Sequence, residues 1–145
     1  MLVLHAARTV ECYGELYRKT DEYDKAMENH KKCLAISIRL EGKESSNVGD
    51  VYHCIGAAIR EGDGDLDEAL ELVQMGMATA IRVYGPDHGH VGSCHESIAY
   101  VLLEQNKYAE AISELKRALV IFTNFHGSDH RLTCAVRDTL QEISE

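Results

Sequence analysis

Apolar residues recur at helical spacing along the whole 145-residue chain. One stripe runs Ala26, His30, Cys33, Leu34 and Ile38; a later one runs Ala111, Leu115, Ala118, Leu119 and Phe122. Steps of three and four keep such residues on one side of an α-helix, whereas a strand would need strict alternation. The pattern, cut at its turn signals, predicts helices over 3–19, 22–41, 46–61, 66–84, 89–105, 107–125 and 130–144, seven in all and no strand. Asp65 followed by Glu68 is a capping-box spacing at the start of one helix. Gly85-Pro86-Asp87 ends another, and Asp87 is the expected cap of the next.

The stripes themselves repeat. YGELY (13–17) precedes YDKAMENHKKCLAI (23–36), IGAAI (55–59) precedes LDEALELVQMGMAT (66–79), and IAYVL (98–102) precedes YAEAISELKRALVI (108–121). Each first segment pairs an apolar with a small residue: Tyr13-Gly14, Ile55-Gly56, Ile98-Ala99. Each second segment carries an alanine, at Ala26, Ala69 and Ala111, and each unit closes on a glycine, at Gly42, Gly85 and Gly127. Equivalent positions lie 42 or 43 residues apart, the extra residue falling in the turn 61–65. Small residues at fixed places let two antiparallel helices approach closely, so each unit is expected to be a helical hairpin. The chain is then one array, with units of about 1–42, 43–85 and 86–127 followed by a C-terminal helix in 128–145.

This small–apolar–alanine pattern resembles the tetratricopeptide repeat. Its unit is longer than the usual 34 residues, which is similar to the kinesin light chain subclass, whose units end in a Gly-x-Asp-His-Pro loop. Gly85-Pro86-Asp87-His88 and Gly127-Ser128-Asp129-His130 follow that loop, with Gly89 and Arg131 in place of the proline; the first unit departs, reading Gly42-Lys43-Glu44-Ser45. The resemblance implies an all-α fold, an α-α superhelix of three helical hairpins plus a seventh helix, with a concave face that binds peptides. That groove would be lined by Arg8, Glu11, Glu15, Arg18, His53, Arg60, Glu96, Tyr100, Leu103 and Asp138. The family's Asn pair is replaced here by Glu11/Cys12, His53/Cys54, Glu96/Ser97 and Asp138/Thr139, so the family's clamp on a peptide backbone does not carry over. Acidic groups dominate toward the C-terminal end of the groove, where a partner with basic or apolar residues fits; Tyr100 and Leu103 are its apolar contacts.

Charge narrows the partner further. Against 15 Lys and Arg stand 24 Asp and Glu, a net charge of -9, which disfavours nucleic acid and anionic membranes. The apolar opening MLVLHAAR lacks the charged flank of a signal peptide and continues into a helical pattern. The five cysteines, Cys12, Cys33, Cys54, Cys94 and Cys134, have no CxxC spacing and fit reduced core thiols of a cytoplasmic protein. His88, His90, Cys94 and His95 could each bind a metal, but their spacing matches no zinc signature; His88 belongs to the loop, and His90, Cys94 and His95 fall on different faces of one helix. Neither a phosphate-binding GK[ST] loop nor a GxSxG elbow is present. The expectation is therefore a non-enzymatic protein–protein scaffold or adaptor with no cofactor and no metal. The alternative is a structural subunit, or a fragment of a longer repeat protein, held by its edges or convex face. Leu2, Leu4 and Val10 on the first helix suggest self-association there.

Overall fold

A computed structural model describes residues 23–62 and 64–144. Within these the secondary structure is six helices and no strand: α1 (Tyr23–Glu41), α2 (Ser46–Glu61), α3 (Leu66–Tyr84), α4 (Gly89–Glu104), α5 (Tyr108–His126) and α6 (Arg131–Ser144). The expected count of seven is thus not reached among the described residues, because the helix expected over 3–19 lies outside them. The other boundaries fall within about two residues of the sequence reading, the scatter normal for helix ends.

The punctuation repeats with the sequence. Gly42, Gly85 and Gly127 all have positive φ, at 84°, 90° and 98°. Each donates its amide to the carbonyl four residues back: Ile38, Ile81 and Thr123, at 2.9, 2.8 and 3.0 Å. Glycine is the residue that tolerates this backbone, and the left-handed turn stops the helix. Three residues on, a side chain caps the next helix. Ser45 Oγ accepts from Val48 N at 3.2 Å, His88 Nδ1 from His90 N at 3.1 Å, and His130 Nδ1 from Leu132 N at 3.2 Å. The cap of α4 is therefore His88, not the expected Asp87: α4 begins at Gly89, one residue beyond His88, and the cap is the residue immediately before the helix. Asp65 does cap α3, its Oδ1 accepting from the amides of Asp67 and Glu68 at 2.9 and 3.3 Å.

The chain divides into two compact units, Met1–Thr79 and Ala80–Glu145. In the first, α1 packs on α2. Its core holds His30, Cys33, Val48, Val51, Ile55, Ala58, Ile59, Ala69 and Val73. The small position at Gly56 faces Ala69 as the repeat implies. A Cβ there would lie 2.9 Å from the Ala69 carbonyl and 2.6 Å from Val73 Cγ2. A second close approach was not expected from the repeat: a Cβ on Gly76 of α3 would lie 2.7 Å from the Gly49 carbonyl of α2.

In the second unit α5 packs on both α4 and α6. Ala99 and Ala111 are both fully buried, and Leu115, Ala118 and Phe122 continue the stripe into the core. On α6 the apolar set Leu132, Val136, Leu140 and Ile143 is only partly realised. Val136 is buried, but its companion is Thr133, and the other three are half-buried. Thr133 Oγ1 donates to the Gly127 carbonyl at 2.8 Å, which removes the cost of burying its hydroxyl.

Candidate protein-binding face

The first helix of a hairpin has one side on its partner and another left over. On α2 the leftover side carries Asp50, His53, Ala57 and Arg60; on α4 it carries Ser93, Glu96, Tyr100 and Leu103. These two sets occupy equivalent repeat positions, 43 residues apart, and all eight residues are half-buried. They are neither core nor fully solvated. His53 sits beside Gly76, close to its backbone. Arg60 Nη2 lies 3.5 Å from Glu61 Oε1. Asp138 is exposed on α6. Arg8, Glu11, Glu15 and Arg18 lie outside the described residues.

Glu96 is the electrostatically distinctive member of this set. Burial raises its carboxyl pKa above the ordinary value. Tyr100 and Leu103 follow it by one and two helical turns, giving a carboxylate, a ring and an aliphatic side chain in a line.

The remaining chemistry is structural. His95 Nδ1 lies 2.6 Å from Glu114 Oε2, tying α4 to α5, and Arg117 Nη1 approaches the other Glu114 oxygen at 3.5 Å. This tie borders an open cavity of about 460 Å³ lined by Asp87, His95, Ser113, Lys116, Arg117, Val120 and Ile121. The metal-competent side chains near position 90 do not converge on one point among the described residues. His88 and His90 stack on each other with ring centroids 4.9 Å apart, Cys94 is buried, and His95 turns to Glu114. Among the described residues no group of three or more His, Cys, Asp or Glu could hold a metal ion. Cys33 and Cys94 are buried, Cys54 and Cys134 half-buried, and none of the four is in a disulfide.

Sequence reasoning missed the apolar residues exposed on the second helices: Met75, Ile81, Val83 and Tyr84 on α3, and Tyr108, Val120 and Phe125 on α5. Their signal was present as apolar letters off the main stripe, absorbed into a general helical pattern.

Comparison with known proteins agrees with this architecture. Tetratricopeptide repeat families match residues 14–47 and 47–124. The chain belongs to the tetratricopeptide repeat family, and its fold is of the kinesin light chain-like type. Among solved structures it is similar to nearly identical TPR-like repeats of a kinesin light chain-type protein of Podosopora anserina, with TM-score 0.82, 18% identity, and coverage of 94% of this chain and 64% of that one. BtubC from P. vanneervenii gives TM-score 0.76 and 18% identity over 95% of this chain and 63% of that one. A TPR-like protein of Chlorobium tepidum gives TM-score 0.68 and 19% identity over 99% and 97%. The chain thus spans a little under two thirds of the first two structures. No curated protein matches it. Tetratricopeptide repeats typically mediate protein–protein contacts and are scaffolds, not catalysts. No described helix is long and apolar enough to cross a membrane.

Proposed function

We propose that the chain is a non-enzymatic cytoplasmic scaffold or adaptor, a single array over 1–145 that holds a partner protein in a groove formed by the first helices of its hairpins. The observation that carries this reading is the half-buried line Glu96, Tyr100 and Leu103. Such a surface places a partly desolvated carboxylate beside apolar groups, so a partner offering a basic side chain flanked by apolar ones gains from both. His53, Arg60 and Asp138 extend the contact, together with Arg8, Glu11, Glu15 and Arg18 of the N-terminal segment. Because the Asn pair of the kinesin light chain subclass is absent, recognition rests on side chains more than on a clamp of the partner's backbone. Affinity capture from the source cell, read by quantitative mass spectrometry, tests this. The specific partner is expected to be depleted at least tenfold with Tyr100→Ala combined with Glu96→Ala, the loss of about 1.4 kcal/mol. Undiminished capture would sink the groove reading.

The exposed apolar residues of α3 and α5 favour a second reading, a structural subunit held by its outer face. Light scattering over a concentration series separates it from the first. Self-association abolished by Val120→Glu would support the outer face, and a strict monomer would count against assembly with copies of itself.

A further inference from the structure

The three repeat loops share a glycine stop and a side-chain cap three residues on, but the capping group differs. Ser45, His88 and His130 occupy the same place, 43 and 42 residues apart. Ser45 and His88 also share a backbone, with φ/ψ of -73°/153° and -78°/149°. Where the first loop caps its helix with a hydroxyl, the other two cap with an imidazole Nδ1. A hydroxyl accepts at any physiological pH. An imidazole nitrogen accepts only while it has no proton; in the cation both nitrogens are donors. A protonated ring would then direct N–H at N–H, with its charge against the positive end of a helix.

The two capping rings also belong to one stacked row. His88 lies 4.4 Å from Tyr84, 4.9 Å from His90 and 4.5 Å from Phe125, centroid to centroid. Phe125 meets His126 edge-on at 4.8 Å, and His126 stacks on His130 at 4.1 Å. The row joins the end of α3, the start of α4, the end of α5 and the start of α6. Protons on both His88 and His90, or on both His126 and His130, would place two cations within about 5 Å of each other, where like charges repel.

We propose that His88 and His130, with His90 and His126 stacked in the same row, form a proton-sensitive clasp that loosens the starts of α4 and α6 when the pH falls below the ordinary histidine range. Tyr84 of α3 contacts the row, Asp87, Asp129 and Arg131 adjoin His88 and His130 in sequence, and Arg137 of α6 reaches the loop before His130. Asp87 and Asp129 are exposed, and among the described residues neither makes an ion pair with these rings. Arg137 donates to the Ser128 carbonyl at 3.0 Å. Burial lowers the His88 pKa, and the nearby His90 and His126 lower it further; burial and then His130 lower that of His126. A histidine in the unfolded chain takes up its proton near pH 6.5. Below that pH the unfolded state therefore binds protons that the folded state refuses. The contribution of His88 and His126 is complete above about pH 6.5 and is lost as the pH falls toward their lowered values.

The test uses the chain's own alternative cap. Thermal unfolding of the full chain, followed by circular dichroism, is compared at about pH 7.5 and about pH 5 for the wild type and for H88S/H130S. The wild-type Tm is expected to drop by about 5 °C or more, and the variant to show at most half that drop. Equal drops overturn the proposal. Should the variant not fold, the wild type decides by NMR: Nδ1 of His88 and His130 unprotonated at neutral pH, and amide protection at His90 and Leu132 falling below pH 6.5 while Val48, capped by Ser45, keeps its own. A proton on either Nδ1 at neutral pH, or unchanged protection in acid, overturns it.

Discussion

Gly56 and Gly76 set how closely α2 and α3 approach. Exchanging glycine for alanine inside a helix ordinarily gains about 1 kcal/mol. Here the added methyl would press on a backbone carbonyl at 2.9 Å for Gly56 and 2.7 Å for Gly76, and backbone cannot step aside as a side chain can. The clash should outweigh the propensity gain. Gly56→Ala and Gly76→Ala are each expected to lower stability by about 1–3 kcal/mol in urea unfolding; a gain for either would contradict this close packing. Of the two, only Gly56 was singled out in the sequence, where it repeats as Gly14 and Ala99. Gly76 stands at the repeat position of Cys33 and Ala118, which the sequence shows only as part of the apolar stripe, so its close approach to the Gly49 carbonyl appears only in the structure. Glu96 answers to a different balance. Its carboxylate is partly desolvated, and the raised pKa means that its charge opposes folding at neutral pH. Glu96→Gln should raise Tm by about 1–2 °C while weakening partner binding. A fall in Tm would mean that the charge is stabilising where it stands, and the account of Glu96 as a binding group would fail.

Helices are where sequence and structure agree best, because caps and stops are chemical and local. The starts of α2, α3, α4 and α6 follow from Ser45, Asp65, His88 and His130, and the ends of α1, α3 and α5 from glycine stops; α4 ends before Gln105 and α5 starts after Lys107 without a side-chain cap. Asp65→Ala removes the acceptor for two amides at the start of α3 and should cost about 0.5–2 kcal/mol, read in the same urea titration; no change would mean that water replaces the cap without loss. Two details escaped because each turned on a single residue step. The cap of α4 is His88, since an aspartate one residue earlier sits too far back in the loop. The buried partner of Val136 is Thr133, not Leu132, because a threonine can enter a core once its hydroxyl finds the Gly127 carbonyl. Hydropathy ranks leucine first and cannot see that bond.

At the scale of the whole molecule, the repeat period fixes the class of fold but not what it holds. Among the described residues the period of 42 or 43, the small positions Gly56, Ala69, Ala99 and Ala111 and the glycine-stopped loops survive in three dimensions. A partner leaves no such periodic mark. The residues expected in the groove were chosen by repeat position, and those described are half-buried on α2 and α4 and exposed on α6. Competing with them are Val120 and Phe125, exposed apolar residues of α5. The two faces can be told apart without knowing the partner. A photo-crosslinking phenylalanine analogue is placed at Tyr100 in one version of the chain and at Val120 in another, and both are irradiated in the source cell. The account predicts a discrete covalent adduct from position 100 and none from position 120; the reverse pattern would contradict it.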